Sequence, residues 1–144
     1  MAKDLSNRGA KVLILCRNIT KAQEISKIIT SNSENLVKIY QIDLASMKSV
    51  KKCAQEILNH ETKIDYFVQN AGIMMCPYEL TEDTIELQFA SNYLGHFLLT
   101  ELLLPLLKKT AQINPVRIVI TSSVAHKVRT QKFYDLSSNI HITF

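Results

Sequence analysis

Four short apolar runs, Lys11 to Cys16, Val37 to Ile42, Ile64 to Val68 and Val116 to Ile120, constrain this chain more than any other feature. Each is strand-sized, predominantly apolar and rich in β-branched residues. The segments between them carry apolar residues at helical spacing. Strands this apolar joined by helical crossovers make a parallel sheet covered on both faces. The chain therefore predicts an α/β fold, part of a doubly wound parallel sheet of about four strands.

The helical segments can be placed with some precision. Ala2 to Asn7 reads as a helix closed by Gly9, and Thr20 is the expected cap of a helix to about Thr30 with Ile25, Ile28 and Ile29 on one face. The polar run Ser31 to Asn35 is a loop, and Ser46 opens a helix with Val50, Cys53, Ala54, Ile57 and Leu58 as its buried stripe. A turn at Gly72 and a loop through Pro77 follow. Thr81, with Glu82 and Asp83 in the first turn, predicts a helix that runs with one break to Lys109. Asn114-Pro115 stops it. After Ser123 the rhythm decays, and residues 127–144 form a weakly structured tail with two short apolar spots, Phe133-Tyr134 and Ile140-His141-Ile142.

Composition excludes several function classes. At 47% hydrophobic and 21% charged, the 144 residues suit one globular domain and not a disordered chain. The formal charge of +4 comes from basic residues spread along the chain, which points to a solvated surface and not to nucleic acid. Three cysteines, Cys16, Cys53 and Cys76, lack CxxC spacing and read as reduced, non-metal thiols of an intracellular protein. The start has no apolar core of a signal peptide, and Phe97 to Leu107 falls short of the ~20 residues needed to span a bilayer. Asn18-Ile19-Thr20 matches a glycosylation sequon but reads as a turn.

Three strings carry the chemistry. Gln69-Asn70-Ala71-Gly72-Ile73-Met74-Met75 sets a glycine turn at the end of an apolar strand, where open α/β sheets bind ligands. Ser91-Asn92-Tyr93-Leu94-Gly95-His96-Phe97 puts an Asn inside a helical stretch, and Thr121-Ser122-Ser123 ends the last apolar run. Together they resemble the short-chain dehydrogenase/reductases, in particular the retinol-dehydrogenase-like branch. That resemblance implies a Rossmann-like fold and an NADP-dependent oxidoreductase of alcohols or carbonyls, with retinol-like or other lipophilic substrates. It implies that Arg17 and Asp43 flank the adenosine, that Asn70, Ala71 and Gly72 line the cofactor cleft, and that Asn92 and Ser123 are catalytic. Arg17, where an acid would favour NAD, leans to the 2′-phosphate of NADP. Gln69 departs from the family's usual Asn. A Ser123, His126 and Asp135 triad can be assembled on paper, but nothing in its spacing resembles a nucleophile elbow.

Other parts of the family pattern are missing from this sequence. None of Tyr40, Tyr66, Tyr78, Tyr93 or Tyr134 has Lys four positions on, and Gly9, Gly72 and Gly95 cannot together form a phosphate-cradling loop. A phenol without a neighbouring cation is a poor proton-transfer group at neutral pH. The chain therefore reads as an internal part of the domain, lacking the central first strand and inactive as it stands. The rival reading is a non-catalytic truncated isoform that binds partners through the Phe97 to Leu107 helix, as a homo- or hetero-oligomer; a third is a partial gene product.

Overall fold

The computed structural model describes residues 1–30 and 37–124, together with the backbone of 133–134 and 141–142. Its elements in chain order are α1 (Ala2–Asn7), β1 (Val12–Cys16), α2 (Ile19–Thr30), β2 (Val37–Gln41), α3 (Met47–His60), β3 (Tyr66–Gln69), α4 (Leu87–Phe89), a π-helical turn (Ala90–Leu94), α5 (Gly95–Ala111) and β4 (Arg117–Ile120). Two-residue strands β5 (Phe133–Tyr134) and β6 (His141–Ile142) follow. All four expected strands form, and they pair in parallel: β1 with β2 from Val12 opposite Val37 to Cys16 opposite Gln41, and β3 with β4 from Tyr66 opposite Arg117 to Gln69 opposite Ile120. The two pairs are separate sheets, so β1 and β3 are not hydrogen-bonded to each other.

One core joins the pairs. Val50, Cys53, Ala54 and Ile57 of α3 and Leu99, Leu103, Leu106 and Leu107 of α5 pack together with Tyr40 and Ile42 from the first pair and Phe67 from the second. Burial in that core pushes the Cys53 thiol up to about 11, so it is an inert packing group. α1 packs on β1 and on α2, and α2 packs on both β1 and β2. Ile118, Val119 and Ile120 of β4 are exposed, which is unusual for so apolar a strand.

Several sequence expectations are corrected by local hydrogen bonding. Asn18, not Thr20, caps α2, its Oδ1 accepting from the Lys21 amide at 2.9 Å. Of the three isoleucines placed on one face, Ile29 is buried while Ile25 and Ile28 are exposed, and Ala22 takes the inner position. Leu58 likewise lies outside the buried stripe of α3. The expected helix from Thr81 begins at Leu87 instead, capped by Glu86, whose carboxylate accepts from the Gln88 and Phe89 amides. Thr81 to Glu86 forms a tight turn with Thr84 at φ 59. Its acids serve a different helix: Glu82 accepts from the Ser46 hydroxyl, and Asp83 accepts from the Met47 amide at 2.9 Å at the positive end of α3. The apolar spots at Phe133-Tyr134 and His141-Ile142, read as a tail without elements, pair as antiparallel β5 and β6. The expected loop at Ser31 to Asn35 and the rest of residues 127–144 lie outside the described residues.

Glu61 ends α3 and ties it to the first strand pair. The residue is 6% exposed, and its carboxylate accepts from Lys11, from Lys38 at 2.9 Å and from the Tyr40 hydroxyl at 2.8 Å. Burial alone would raise its pKa, but the bonds from Lys11, Lys38 and Tyr40 outweigh it and hold the group at about 2 instead of 4.5. A depressed carboxyl stabilises the fold above its unfolded pKa and loses that contribution as pH falls through the folded value. Glu61→Gln should therefore cost up to about 3 kcal/mol at pH 7. In urea titrations the gap between wild type and variant should close as pH falls from 4.5 towards 2. A gap that stays constant over that range would show that Glu61 contributes by shape and not by charge.

Candidate functional site

Three strands of the two pairs point their carboxyl ends at one cavity of about 240 Å³. Cys16 and Arg17 line it from the end of β1, Ile42, Asp43 and Leu44 from beyond β2, Ala71, Gly72 and Ile73 from beyond β3, and Ser91 from the π-helical turn. A crevice at strand carboxyl ends is where doubly wound sheets bind ligands. Of the residues singled out from the sequence, the structure thus brings Arg17, Asp43, Ala71 and Gly72 together. Asn70, Asn92 and Ser123 are exposed near the same sheet end but do not line this cavity.

The turn after β3 is held by the helix behind it. The Asn92 carboxamide pairs with Ile73 in both directions, Nδ2 donating to the Ile73 carbonyl and Oδ1 accepting from the Ile73 amide, each at 2.8 Å. Bonds of this kind let an irregular turn meet its backbone requirements without a neighbouring strand. Asn92 sits in the π-helical turn Ala90–Leu94, the break that the sequence places only loosely in the long helix. Such single π turns are frequent at functional sites because they re-aim side chains without ending the helix.

Glycine matters here for proximity, not for backbone freedom. The sequence suggests that Gly72 uses φ values closed to other residues, but only Gly9, at φ 89, is positive among the glycines. A Cβ at Gly72 would instead lie 3.3 Å from Asn92 Oδ1, so the absent side chain makes room for the carboxamide. Gly95 is tighter still: a Cβ there would overlap the Leu44 carbonyl oxygen and lie 3.0 Å from the carbon atoms behind it. One turn of helix, Asn92 to His96, therefore touches both the loop after β2 and the loop after β3.

The remaining site residues have modest partners. Asp43 Oδ1 accepts from the Ala45 amide at 2.9 Å, closing a local turn before Ser46 caps α3. Arg17 is exposed at the rim. Burial pushes the Cys16 thiol above its ordinary value, and its Sγ lies 3.4 Å from the Asn18 carbonyl oxygen. Asn70 Oδ1 accepts from the Thr121 hydroxyl at 3.4 Å, which links the ends of β3 and β4. Ser123 follows two residues later and is exposed; His126 and Asp135 lie outside the described residues. No group of residues suited to hold a metal occurs among the described residues, nor any helix long and apolar enough to cross a membrane.

Two residues of this network have no sequence expectation attached. His96 Nε2 donates to the Ala71 carbonyl at 2.8 Å. Gln69, noted in the sequence only as a departure from the family pattern, is buried and donates from Nε2 to the His96 carbonyl at 3.1 Å and to the Thr100 hydroxyl. Both lie within the quoted strings, and the i, i+4 spacing of Asn92, His96 and Thr100 was the signal that they share a helix face.

Comparison with known proteins identifies the family and fold. A family model described as short chain dehydrogenase matches residues 1–136. Retinol dehydrogenase 12 of Mus musculus is 42% identical over 136 residues, which cover 94% of this chain and 42% of that protein. Retinol dehydrogenase 13 of Homo sapiens is 42% identical over 137 residues, covering 94% and 40%. The chain spans about two-fifths of the length of these curated relatives. Among solved structures, an uncharacterised protein of Mycobacterium paratuberculosis superposes with a TM-score of 0.71 at 36% identity, over 87% of this chain and 41% of that one. The Pseudomonas aeruginosa RhlG/NADP active-site complex superposes with a TM-score of 0.67 at 25% identity, over 81% and 46%.

The two glycines offer a graded test. In an ordinary helix, Gly to Ala stabilises by about 1 kcal/mol. Gly95→Ala should instead destabilise by about 2 kcal/mol, since the clash is with backbone that cannot swing away. Gly72→Ala should cost about 1 kcal/mol, because only the Asn92 carboxamide has to shift. Urea midpoints of the two variants check both the signs and the order.

Proposed function

This chain belongs to the short-chain dehydrogenase family, and on that premise we propose that it carries part of the cofactor cleft of an NADP-dependent oxidoreductase acting on lipophilic alcohols or carbonyls of the retinol kind. The observation that carries this reading is the cavity shared by Arg17, Asp43, Ala71 and Gly72. The retinol dehydrogenase relatives support the substrate class, and the neighbour bound to NADP supports the cofactor.

These residues suit the adenosine end of a dinucleotide. In this reading Arg17 at the cavity rim would offer a cation to a 2′-phosphate, Asp43 keeps one carboxylate oxygen free of the bond to Ala45, and Ala71 and Gly72 would let a flat ring approach the backbone. Among the described residues no glycine-rich turn opens a helix beside them, so a pyrophosphate would lack its usual nest of amides. When bound, the nicotinamide supplies or accepts the hydride. In this reading Ser123 orients the substrate carbonyl at the end of β4. Asn92 keeps one N–H and one oxygen lone pair for a water, because Ile73 takes only half of its hydrogen-bonding capacity. The proton for a reduced carbonyl needs a tyrosine beside a lysine, and no tyrosine of this sequence has Lys four residues on. We therefore place the 144-residue chain as inactive by itself.

A second reading has its own support. Phe89, Tyr93 and Phe97 stack in sequence on one helix face, with ring centroids 5.3 and 6.2 Å apart, and all three are exposed. An aromatic ladder of this kind suits an interface. This face meets the expected Phe97 to Leu107 surface only at Phe97, because Leu99, Leu103, Leu106 and Leu107 are buried in the core; in this reading it serves homo- or hetero-oligomerisation, with catalysis left to longer partners.

The chain should give no turnover of retinol, retinal or simple carbonyls with NADP or NAD. Titration calorimetry should show NADPH binding no tighter than about 0.1 mM, since the phosphates lack a cradle. Arg17→Glu should weaken it further, and weaken NADH binding less. Turnover that disappears in Ser123→Ala would refute the inactive assignment, and a micromolar affinity lost in Arg17→Glu would show that the phosphate loop is dispensable.

A further inference from the structure

We propose that His96 is a positioning residue for the cofactor cleft: its imidazole donates from Nε2 to the Ala71 carbonyl and, with Asn92 one helical turn earlier, fixes the turn Ala71 to Ile73 against α5. This goes beyond the functional reading above, and it rests on that reading only for the identity of what occupies the cleft.

Three observations converge on His96. A carbonyl can only accept, so the 2.8 Å contact between Nε2 and the Ala71 oxygen puts the proton on Nε2. The other ring nitrogen, Nδ1, is buried and makes no hydrogen bond. A buried polar atom without a partner is costly, and a histidine kept there must recover that cost through its second nitrogen. The backbone of the same residue is also committed, because its carbonyl accepts both from Gln69 Nε2 at 3.1 Å and from the Thr100 hydroxyl at 2.8 Å.

The geometry makes a clasp. Gln69 is the last residue of β3, Ala71 and Gly72 line the cavity, and Ile73 is held by Asn92. Side chains at Asn92 and His96 lie one above the other on one helix face, as i and i+4 positions do. They grip the turn at two points two residues apart, with Gly72 between. An Asn92 bond alone would leave the Ala71 peptide free to rotate about its neighbours. The second bond removes that freedom, so the backbone facing the cavity is set before anything enters it.

The test separates this claim from the functional reading. In the wild-type chain without any nucleotide, long-range proton–nitrogen NMR of the imidazole should show the proton on Nε2; a proton on Nδ1 would overturn the proposal with no need of a variant. His96→Leu should speed exchange of the Ile73 amide by about tenfold, the effect of losing one such bond. His96→Gln keeps an N–H donor of similar reach and should restore exchange to within about threefold of wild type. Equal exchange in the two variants would overturn the proposal, since a mere packing role would not distinguish Gln from Leu in this direction. NADPH added to wild type should move the Ala71 and Gly72 amide signals, with the movement reduced in His96→Leu and kept in His96→Gln. If NADPH moves nothing in wild type, the functional reading fails while the tautomer and exchange results still decide the clasp.

Discussion

The two-way pairing of the Asn92 carboxamide with the Ile73 backbone is the interaction on which the arrangement of the site depends. The turn after β3 must leave the strand direction and face the cavity, and its peptide groups need partners that no strand supplies. A primary amide is the one side chain that can offer both a donor and an acceptor in the spacing of a peptide group. Asn92 does so from inside a helix, and the helix accommodates it with a π turn. Gly72 favours the same contact, since a side chain there would press on Oδ1 and make the carboxamide shift.

The helix that carries Asn92 is in turn fixed by its own glycine. Gly95 lets α5 lie directly on the Leu44 backbone, and Leu99, Leu103, Leu106 and Leu107 continue the contact into the core shared with α3. The two strand pairs make no hydrogen bonds to each other, so their relation is set by this helix pair and its core. The cavity lies between the ends of strands from both pairs, and its shape depends on α3 and α5 more than on any sheet ladder. At the opposite side, Glu61 with Lys11, Lys38 and Tyr40 fixes the end of α3 to β1 and β2.

The strands were legible in the sequence because short apolar runs rich in β-branched residues are bounded by turn residues such as Gly9, Asn18, Asp43, Gly72 and Pro115, and their parallel pairing followed from the crossovers. Family membership was legible in the strings around Gly72, Asn92 and Ser123, and the match over residues 1–136 agrees with it. Helix starts were less legible. Thr81 looked like a cap with acids after it, but those acids bind the amino end of α3, a contact 36 residues away that no local pattern shows. Glu86, a poor cap by type, starts the helix instead. Long-range bonds also hid His96 and Gln69, whose roles depend on the facing turn. Gly72 was visible as important, yet the reason lay in a neighbour 20 residues on rather than in its own dihedral angles.

Scalar coupling across the hydrogen bond from the Ile73 amide to Asn92 Oδ1 tests the central claim most directly, because it is seen only when that bond exists in solution. The account expects a resolved coupling between the Ile73 amide nitrogen and the Asn92 side-chain carbonyl carbon, lost in Asn92→Leu together with the slow exchange of that amide. An absent coupling with rapid exchange of the Ile73 amide in the wild-type chain would contradict it.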